Sequence, residues 1–229
     1  MDMKQYNVKI DLDEALYYLG YHGEQADEIV EGQLRKSAEL LERISAPSYT
    51  YRIFDMEKTF QGIELKGSSL ILTGESAFSW LRDCRSVIVM AATIGREVDT
   101  FIHRCQITDM AEALILDSCA SSDVESICDQ LEKDLEKEYR KRGLFLTKRF
   151  SPGYGDLPLS LQPEICRALS LEKTIGLSIT SGMLMMPTKS VTAFIGISDC
   201  PQPEKRSGCE DCLMNRSCNY RKAGTACAE

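Results

Sequence analysis

The chain has 229 residues, 43% of them apolar. That is enough to fill a sizeable core, so disorder is not the expectation. Its 35 acidic and 27 basic side chains give a net charge of -8 and a pI near 5.0. This balance argues against a nucleic-acid binder, whose affinity comes from Lys and Arg neutralising phosphates, and against a protein held on anionic lipid by a basic surface. No stretch approaches the roughly 18 uninterrupted apolar residues of a membrane span. Residues 1–6 lack the apolar run of a signal peptide, so a cytoplasmic protein with no membrane partner is expected. Ten cysteines in such a chain should be reduced, and a tight cluster of them reads as metal ligation before disulfides. Two histidines, His22 and His103, exclude a three-histidine zinc site.

In chain order, Asp11 or Asp13 can cap a short helix carrying Ala15, Leu16 and Leu19 that ends at Gly20. A longer helix follows over residues 24–44. Its apolar positions Ala26, Ile29, Val30, Leu34, Ala38, Leu41 and Ile44 form one continuous face, and Ser45-Ala46-Pro47 stops it. Residues 49–56, 62–65 and 69–73 are short, β-rich and separated by polar or Gly-containing breaks, as antiparallel strands are. A short helix near 77–83 carries the only tryptophan, Trp80. Residues 86–92 form an apolar run of buried-strand length, and Thr93-Ile94-Gly95 turns the chain into a helix near 97–104.

Residues 108–142 contain neither Pro nor Gly and keep helical spacing through Met110, Leu114, Cys119, Val124, Ile127, Leu131 and Leu135. Unbroken, this central helix is ~50 Å long at about 1.5 Å per residue, and Ser121-Ser122 is the expected place for a bend or break. A Gly/Pro-punctuated loop, 149–158, leads to a helix over 160–169. A turn at Gly176, a strand around Ile179, a turn at 184–187 and a strand over 190–197 complete the body. Residues 199–229 then hold five of the ten cysteines with almost no aliphatic side chains. Their five acidic and five basic residues cancel, so the net acidity belongs to the body. The expected architecture is α+β: a twisted antiparallel sheet with flanking helices, one of them long and central, over residues 1–198, followed by a Cys-rich tail over 199–229.

The loop at 149–158 is the most informative stretch. Gly153 and Gly155 flank Tyr154, so the backbone can take positive φ on both sides and present amides and a ring at a surface. Arg149, four residues before Gly153, could hold a carboxylate through two parallel bonds. On these residues alone a tight loop between helices is the plain reading.

A family pattern adds to it. Arg-x-Ser-Pro-Gly-Tyr over 149–154, followed about thirty residues later by Met-Met-Pro-x-x-Ser-Val over 185–191, resembles the activation domain of cobalamin-dependent methionine synthase. That family carries an Arg-x-Ala-Pro-Gly-Tyr loop and a Met-x-Pro-x-x-Ser-Val turn at comparable spacing. The resemblance is specific in these two motifs, weaker but in order from Ile10-Asp11 onward, and spans roughly residues 8–197. It implies an S-adenosylmethionine-binding α+β fold. Here the domain looks freestanding, with no room for homocysteine, folate and cobalamin modules, so it implies a subunit acting on a separate corrinoid protein. The partner would be a methionine synthase lacking its own activation domain, with cobalamin on that partner and a low-potential donor, flavodoxin or ferredoxin.

Carried over position by position, the resemblance gives Arg149 the ligand's carboxylate, Ser151 and Gly153 backbone contacts, and Tyr154 a place between the sulfonium ligand and the corrin. Glu125 matches a glutamate on the helix before the loop, where it could pair with the ligand's ammonium group; a solvated helix carboxylate is the alternative. Asp11 matches an N-terminal aspartate that contacts the ligand, and a helix cap is its alternative. The family's tyrosine after the last shared strand is replaced here by Cys200-Pro-Gln-Pro.

A second constellation is Cys200-x8-Cys209-x2-Cys212-x5-Cys218. Four thiolates, two of them in a Cys-x2-Cys pair, are what a tetrahedral zinc or a [4Fe-4S] cluster requires, and spacing does not separate the two. The resemblance favours iron-sulfur, because corrinoid reactivation consumes a low-potential electron that a cluster could relay. Cys227 is a substitute ligand at a terminus expected to fray. Cys84, Cys105, Cys119, Cys128 and Cys166 are scattered through predicted elements and read as small core residues. The expected function is therefore S-adenosylmethionine-dependent reactivation of a corrinoid methyltransferase by reductive methylation. The alternatives are a metal-bearing interaction or electron-transfer module that has lost the ligand, and a zinc-stapled structural subunit.

Overall fold

The computed structural model describes residues 9–22 and 25–202. Asp11 caps the first helix, α1 (Leu12–Tyr18), and Asp27 caps α2 (Glu28–Ile44) by accepting from the Val30 amide at 2.8 Å. That cap explains why α2 starts four residues later than its apolar spacing suggests. Ser45 then turns extended, and the chain enters β1 (Ser48–Lys58), β2 (Ile63–Leu65) and β3 (Ile71–Leu72). Next come α3 (Glu75–Trp80), β4 (Cys84–Thr93), α4 (Arg96–Thr108) and α5 (Met110–Arg140), then the short β5 (Phe145–Leu146). After the loop, a 3-10 turn at Leu159–Leu161 leads into α6 (Gln162–Leu169) and α7 (Leu171–Thr174). The last elements are β6 (Ser178–Ile179), β7 (Met185–Met186) and β8 (Ser190–Ser198).

Six strands form one sheet in the order β3-β2-β1-β4-β8-β5, and every pairing in it is antiparallel. β6 and β7 make a separate hairpin. The α+β class with an antiparallel sheet and flanking helices is the one expected from the sequence. β4 is central, paired to β1 from Ser48↔Thr93 to Asp55↔Ser86 and to β8 along its length. Its side chains alternate between two cores. Ile88, Met90 and Ala92 join Ala193, Ile195 and Ile197 of β8 against α1, α2, α4 and α5. Val87, Val89 and Ala91 face the opposite way, with Phe54, Phe194, Ile165 and Leu169. Burial on both faces is why β4 reads as a continuous apolar run rather than an alternating one.

The long helix differs from expectation in one respect: α5 runs unbroken through Ser121-Ser122. Both hydroxyls are satisfied without interrupting the ladder, Ser121 donating to the Asp117 carbonyl at 3.1 Å and Ser122 to the Asp11 carbonyl at 2.8 Å. The break falls at Asp109, which closes α4 with its amide on the Cys105 carbonyl and opens α5 with its carboxylate on the Ala111 and Glu112 amides. One residue thus ends one helix and caps the next. Among the described residues, no helix is long and apolar enough to cross a membrane. The chain beyond Gln202, with Cys209, Cys212, Cys218 and Cys227, lies outside the described residues.

A tertiary cap fixes the loop at 149–158 to the sheet side. α3 has no side-chain cap of its own at Gly74; the Asp156 carboxylate supplies one, accepting from the Glu75 amide at 2.6 Å and the Ser76 amide at 3.0 Å. Gly74 is required there, because a Cβ would meet that carboxylate at 2.6 Å. Slight burial acts in the opposite sense, but the hydrogen bonds from Ser76 and Glu75 hold the Asp156 carboxyl below the ordinary aspartate range. Its contribution is therefore complete above that ordinary value and fades as pH falls through the lowered folded one. Asp156→Ala is expected to destabilise the protein by about 0.5–2 kcal/mol in urea unfolding near neutrality, the usual cost of losing an N-cap. The difference from wild type should shrink as pH falls below the ordinary aspartate value; a difference independent of pH would remove the charged cap as its cause.

Candidate functional site

α5 presents three acidic residues on successive turns: Glu125, Asp129 and Glu132, four and three residues apart, share one face. Chain leaving β5 crosses this face, and Phe150 pairs with Phe194 of β8 through both backbone bonds at 2.9 Å. Arg149, one residue earlier, is thereby aimed at the acidic face. Its guanidinium contacts Glu125 at 2.6 Å, Asp129 at 2.6 Å and Glu132 at 3.1 Å, with 23% of its side chain exposed. Burial opposes the charge, but Glu132 and Glu125 outweigh it and hold the guanidinium firmly protonated. Glu132 is pushed up from the ordinary glutamate value by burial, partly countered by Arg149. Its Oε1 has no hydrogen-bond partner of good geometry, so its contact with Arg149 is chiefly electrostatic.

The loop then turns sharply. Gly153, at φ 96°, donates to the Leu157 carbonyl at 2.8 Å, and a Cβ there would press on Leu159 at 3.0 Å. Tyr154 follows, 69% exposed at the rim, its amide on the Ser151 carbonyl at 3.2 Å. Ser151 is half-buried, and Pro152 beneath it is buried.

α1 closes the other side. The Asp11 carboxylate accepts from the Asp13 and Glu14 amides at 3.0 and 3.2 Å, so it is engaged as a helix cap. Its carbonyl takes the Ser122 hydroxyl, which docks the start of α1 on the middle of α5 one turn from Glu125. Glu14 accepts from the Tyr18 hydroxyl at 3.1 Å. Burial raises the Glu14 carboxyl, and repulsion from Glu125 and Asp11 adds to the rise. Tyr18 is pushed up by burial and by the neighbouring Glu14 and Glu125 carboxylates, and it lies within electrostatic reach of Tyr154.

The second motif is anchored to the same helix. The Thr188 amide donates to Asp99 of α4 at 2.7 Å, and Lys189 reaches Asp117 at 2.8 Å and the Ser121 hydroxyl at 2.9 Å. Ser190 lies in the buried turn with its hydroxyl 2.7 Å from the Pro187 carbonyl and 2.8 Å from the Thr93 hydroxyl. Residues 187–190 thus brace the two helices rather than meeting Arg149.

Of the residues singled out from the sequence, Arg149 and Glu125 are in direct contact, Ser151 and Gly153 shape the turn that leads to the exposed Tyr154, and Asp11 is tied to α5 through Ser122. Cys200 is exposed at the end of β8, its sulfur 3.3 Å from the Ser198 hydroxyl; its proposed co-ligands lie outside the described residues. Among the described residues no group of His, Cys, Asp or Glu has the arrangement of a metal site. The sequence reading did not single out Asp129, Glu132, Glu14 or Ser122, although the spacing of the α5 acids was visible. Burial raises the thiols of Cys84, to about 11, and Cys119, to about 12, and also that of Cys128; protonated core thiols are poor nucleophiles.

The site lies on the acidic face of α5. A cleft of about 280 Å³ between α5 and β5 touches it at Glu132, and one of about 130 Å³ lies beside Trp80. Neither is lined by Tyr154 or Asp11, so the convergence of side chains, not concavity, marks the site.

No protein-family model and no curated protein matches the chain. Among solved structures it is similar to one described as the MetH reactivation domain bound to AdoHcy, at TM-score 0.66 and 15% identity, covering 95% of this chain and 82% of that one. At that identity the likeness establishes a shared fold.

Proposed function

We propose that this chain binds S-adenosylmethionine and serves as the reactivation module of a corrinoid methyltransferase, in the first place a cobalamin-dependent methionine synthase that carries the cobalamin on another chain. The observation that carries the reading is the contact of Arg149 with Glu125 on one face of α5, at the start of the loop that carries the exposed Tyr154. The fold that presents them is similar to that of a domain described with AdoHcy bound. With the ligand bound against the partner's corrin, its sulfonium methyl and one electron from a low-potential donor, flavodoxin or ferredoxin, convert the inactive Co(II) form back to methylcobalamin, leaving S-adenosylhomocysteine.

The task of this chain is positioning. Arg149 offers a planar fork to the ligand's carboxylate, which would replace Asp129, the most exposed of its three partners at 52%. Glu125 gives one oxygen to Arg149 and has the other for the ligand's ammonium group. Gly153 and Ser151 hold the loop backbone where it can reach the ligand, and Tyr154 stands at the rim through which the methyl group leaves. Asp11 acts in this reading through its cap, by fixing α1 against Ser122.

Calorimetric titration of S-adenosylmethionine into anaerobically prepared protein tests this. Arg149→Ala would leave three facing carboxylates without their cation, so Arg149→Lys is the better variant: it keeps the charge and loses the bidentate geometry. The expectation is measurable binding by the wild type, weakened in Arg149→Lys by about 1.5–3 kcal/mol, roughly ten- to a hundredfold in Kd. Equal affinity in the two proteins would remove Arg149 from the ligand's carboxylate.

We propose further that Cys200, Cys209, Cys212 and Cys218 hold a metal centre, a [4Fe-4S] cluster with zinc as its alternative. A soft four-thiolate donor set suits both. The replacement of the family's tyrosine by Cys200-Pro-Gln-Pro also supports a second reading, a metal-bearing electron-transfer module without the ligand. Metal analysis of the anaerobic protein separates these. Stoichiometric iron with broad visible absorption, lost in Cys212→Ser, is the expected result; zinc in a colourless protein would make the centre structural. Iron without S-adenosylmethionine binding would favour the second reading.

A further inference from the structure

We propose that the segment after Gln202 folds back on the cleft between α5 and β5, seating Leu213 and Met214 there and placing the four-cysteine centre at this end of the sheet. The inference rests on the four-thiolate reading above and says where that centre stands on the body. The cleft has a volume of about 280 Å³, with Phe145, Leu146 and Ile195 in its lining and Glu132, Glu136 and Lys148 among its polar residues. Pro201 and Gln202, the last described residues, line it as well, and Gln202 also lines the smaller cleft beside Trp80. The body holds the chain up to that point. Asp199 pairs with Arg85 at 2.6 Å, the Ser198 hydroxyl donates to the Asp83 carbonyl and accepts from the Cys200 amide, and the Gln202 side chain donates to the Cys200 carbonyl at 3.1 Å. Residue 203 therefore departs from the wall of the cleft.

Two constraints bring the segment back to this place. In residues 203–229 the large apolar side chains are Leu213, Met214 and Tyr220. So short a segment cannot bury them in a core of its own, since chains below about 40 residues need a metal, a disulfide or a partner surface. Shared ligation is the second constraint. Cys200 is fixed at the end of β8, and thiolates on one zinc each lie about 2.3 Å from it, which draws the Cys212 sulfur to within ~5 Å of the Cys200 sulfur. A cluster holds the two only slightly farther apart. Leu213 and Met214 follow Cys212 directly, so the apolar pair is delivered beside Pro201 and Gln202 at the cleft. The return needs no strained path, because the residues between Gln202 and Cys212 span up to about 35 Å when extended. Charge favours the contact too: residues 203–229 carry five basic and four acidic side chains, against 22 and 31 in the rest of the chain. Lys205 and Arg206 come early enough to approach the Glu132 and Glu136 side of the cleft.

Photocrosslinking of the full, anaerobically prepared chain tests the docking, with a photoreactive phenylalanine analogue in place of Leu213. Coupling within one chain to residues 132–148 is expected; coupling confined to other parts of the body, or none, overturns the proposal. Hydrogen exchange gives an independent readout. When Leu213→Asp is combined with Met214→Asp, the amides of residues 145–148 should exchange about tenfold faster than in wild type. Acrylamide should also quench Trp80, the one tryptophan of the chain, more readily in that variant. An unchanged thermal midpoint confirms that the body is folded, and metal analysis of the same samples separates the two readings. Unchanged exchange and quenching in the double variant, with the metal retained, overturn the docking and leave the four-thiolate centre standing. Coupling to residues 132–148 in a protein that holds no metal supports the docking and overturns the centre.

Discussion

The contact between Arg149 and three successive turns of α5 is the interaction on which the rest of the site depends. A guanidinium with 23% of its side chain exposed loses much of its hydration, and only several well-placed acceptors offset that loss. Glu125, Asp129 and Glu132 provide them, and the geometry fixes two things together. The loop cannot slide along the helix, because a shift of one turn would bring Arg149 to a different set of side chains. Nor can α5 rotate, because its opposite face carries Cys119, Ala120, Ile127, Cys128 and Leu131 into the core. The acidic stripe is therefore fixed against the start of the loop that carries Tyr154.

The sheet explains why that edge is available. β4 and β8 are covered on both faces, and no space is left for a ligand in the centre of the fold. Gly196 shows how tight the packing is: a Cβ there would run into the Cys84 sulfur, with Leu81 at 2.8 Å and Thr147 at 3.0 Å. β5, only two residues long, ends the sheet on the α5 side. Chain leaving it is free of the strand ladder apart from the Phe150–Phe194 bridge and can bend over the helix. Asp156 then ties the far end of the loop to α3, so the loop is held at both ends and the exposed Tyr154 lies between two fixed points.

Much of this was legible in the sequence, and what was not has local physical reasons. The buried run of β4, the amphipathic faces of α2 and α5 and the helix cap at Asp11 follow from side-chain periodicity and capping chemistry. β5, β7 and α7 do not, because elements of two to four residues carry no period, and they exist by pairing or packing with distant partners. Ser121-Ser122 reads as a weak point only while its hydroxyls are considered alone; Asp11, 111 positions away from Ser122, accepts one of them. The acids at 125, 129 and 132 read as an ordinary solvated face until a half-buried arginine crosses them, and nothing local to α5 announces that arginine.

Two carboxylates with similar sequence signals come to differ because of what each is bonded to. The family resemblance implies a ligand contact for both Asp11 and Glu125, yet the Asp11 Oδ1 is taken up by two amides of its own helix, whereas Glu125 meets a side chain from another element. A capping carboxylate is committed as long as the helix exists, since releasing it would leave two amide donors unsatisfied. An ion-pair carboxylate beside a guanidinium with several acceptors can change partners at smaller cost, because a neighbour takes its place. Exchange of partners is what binding of a zwitterion requires. On this physical ground Glu125 and, beside it, Asp129 supply the carboxylates that can exchange partners, and Asp11 belongs to the frame that fixes α1 against α5.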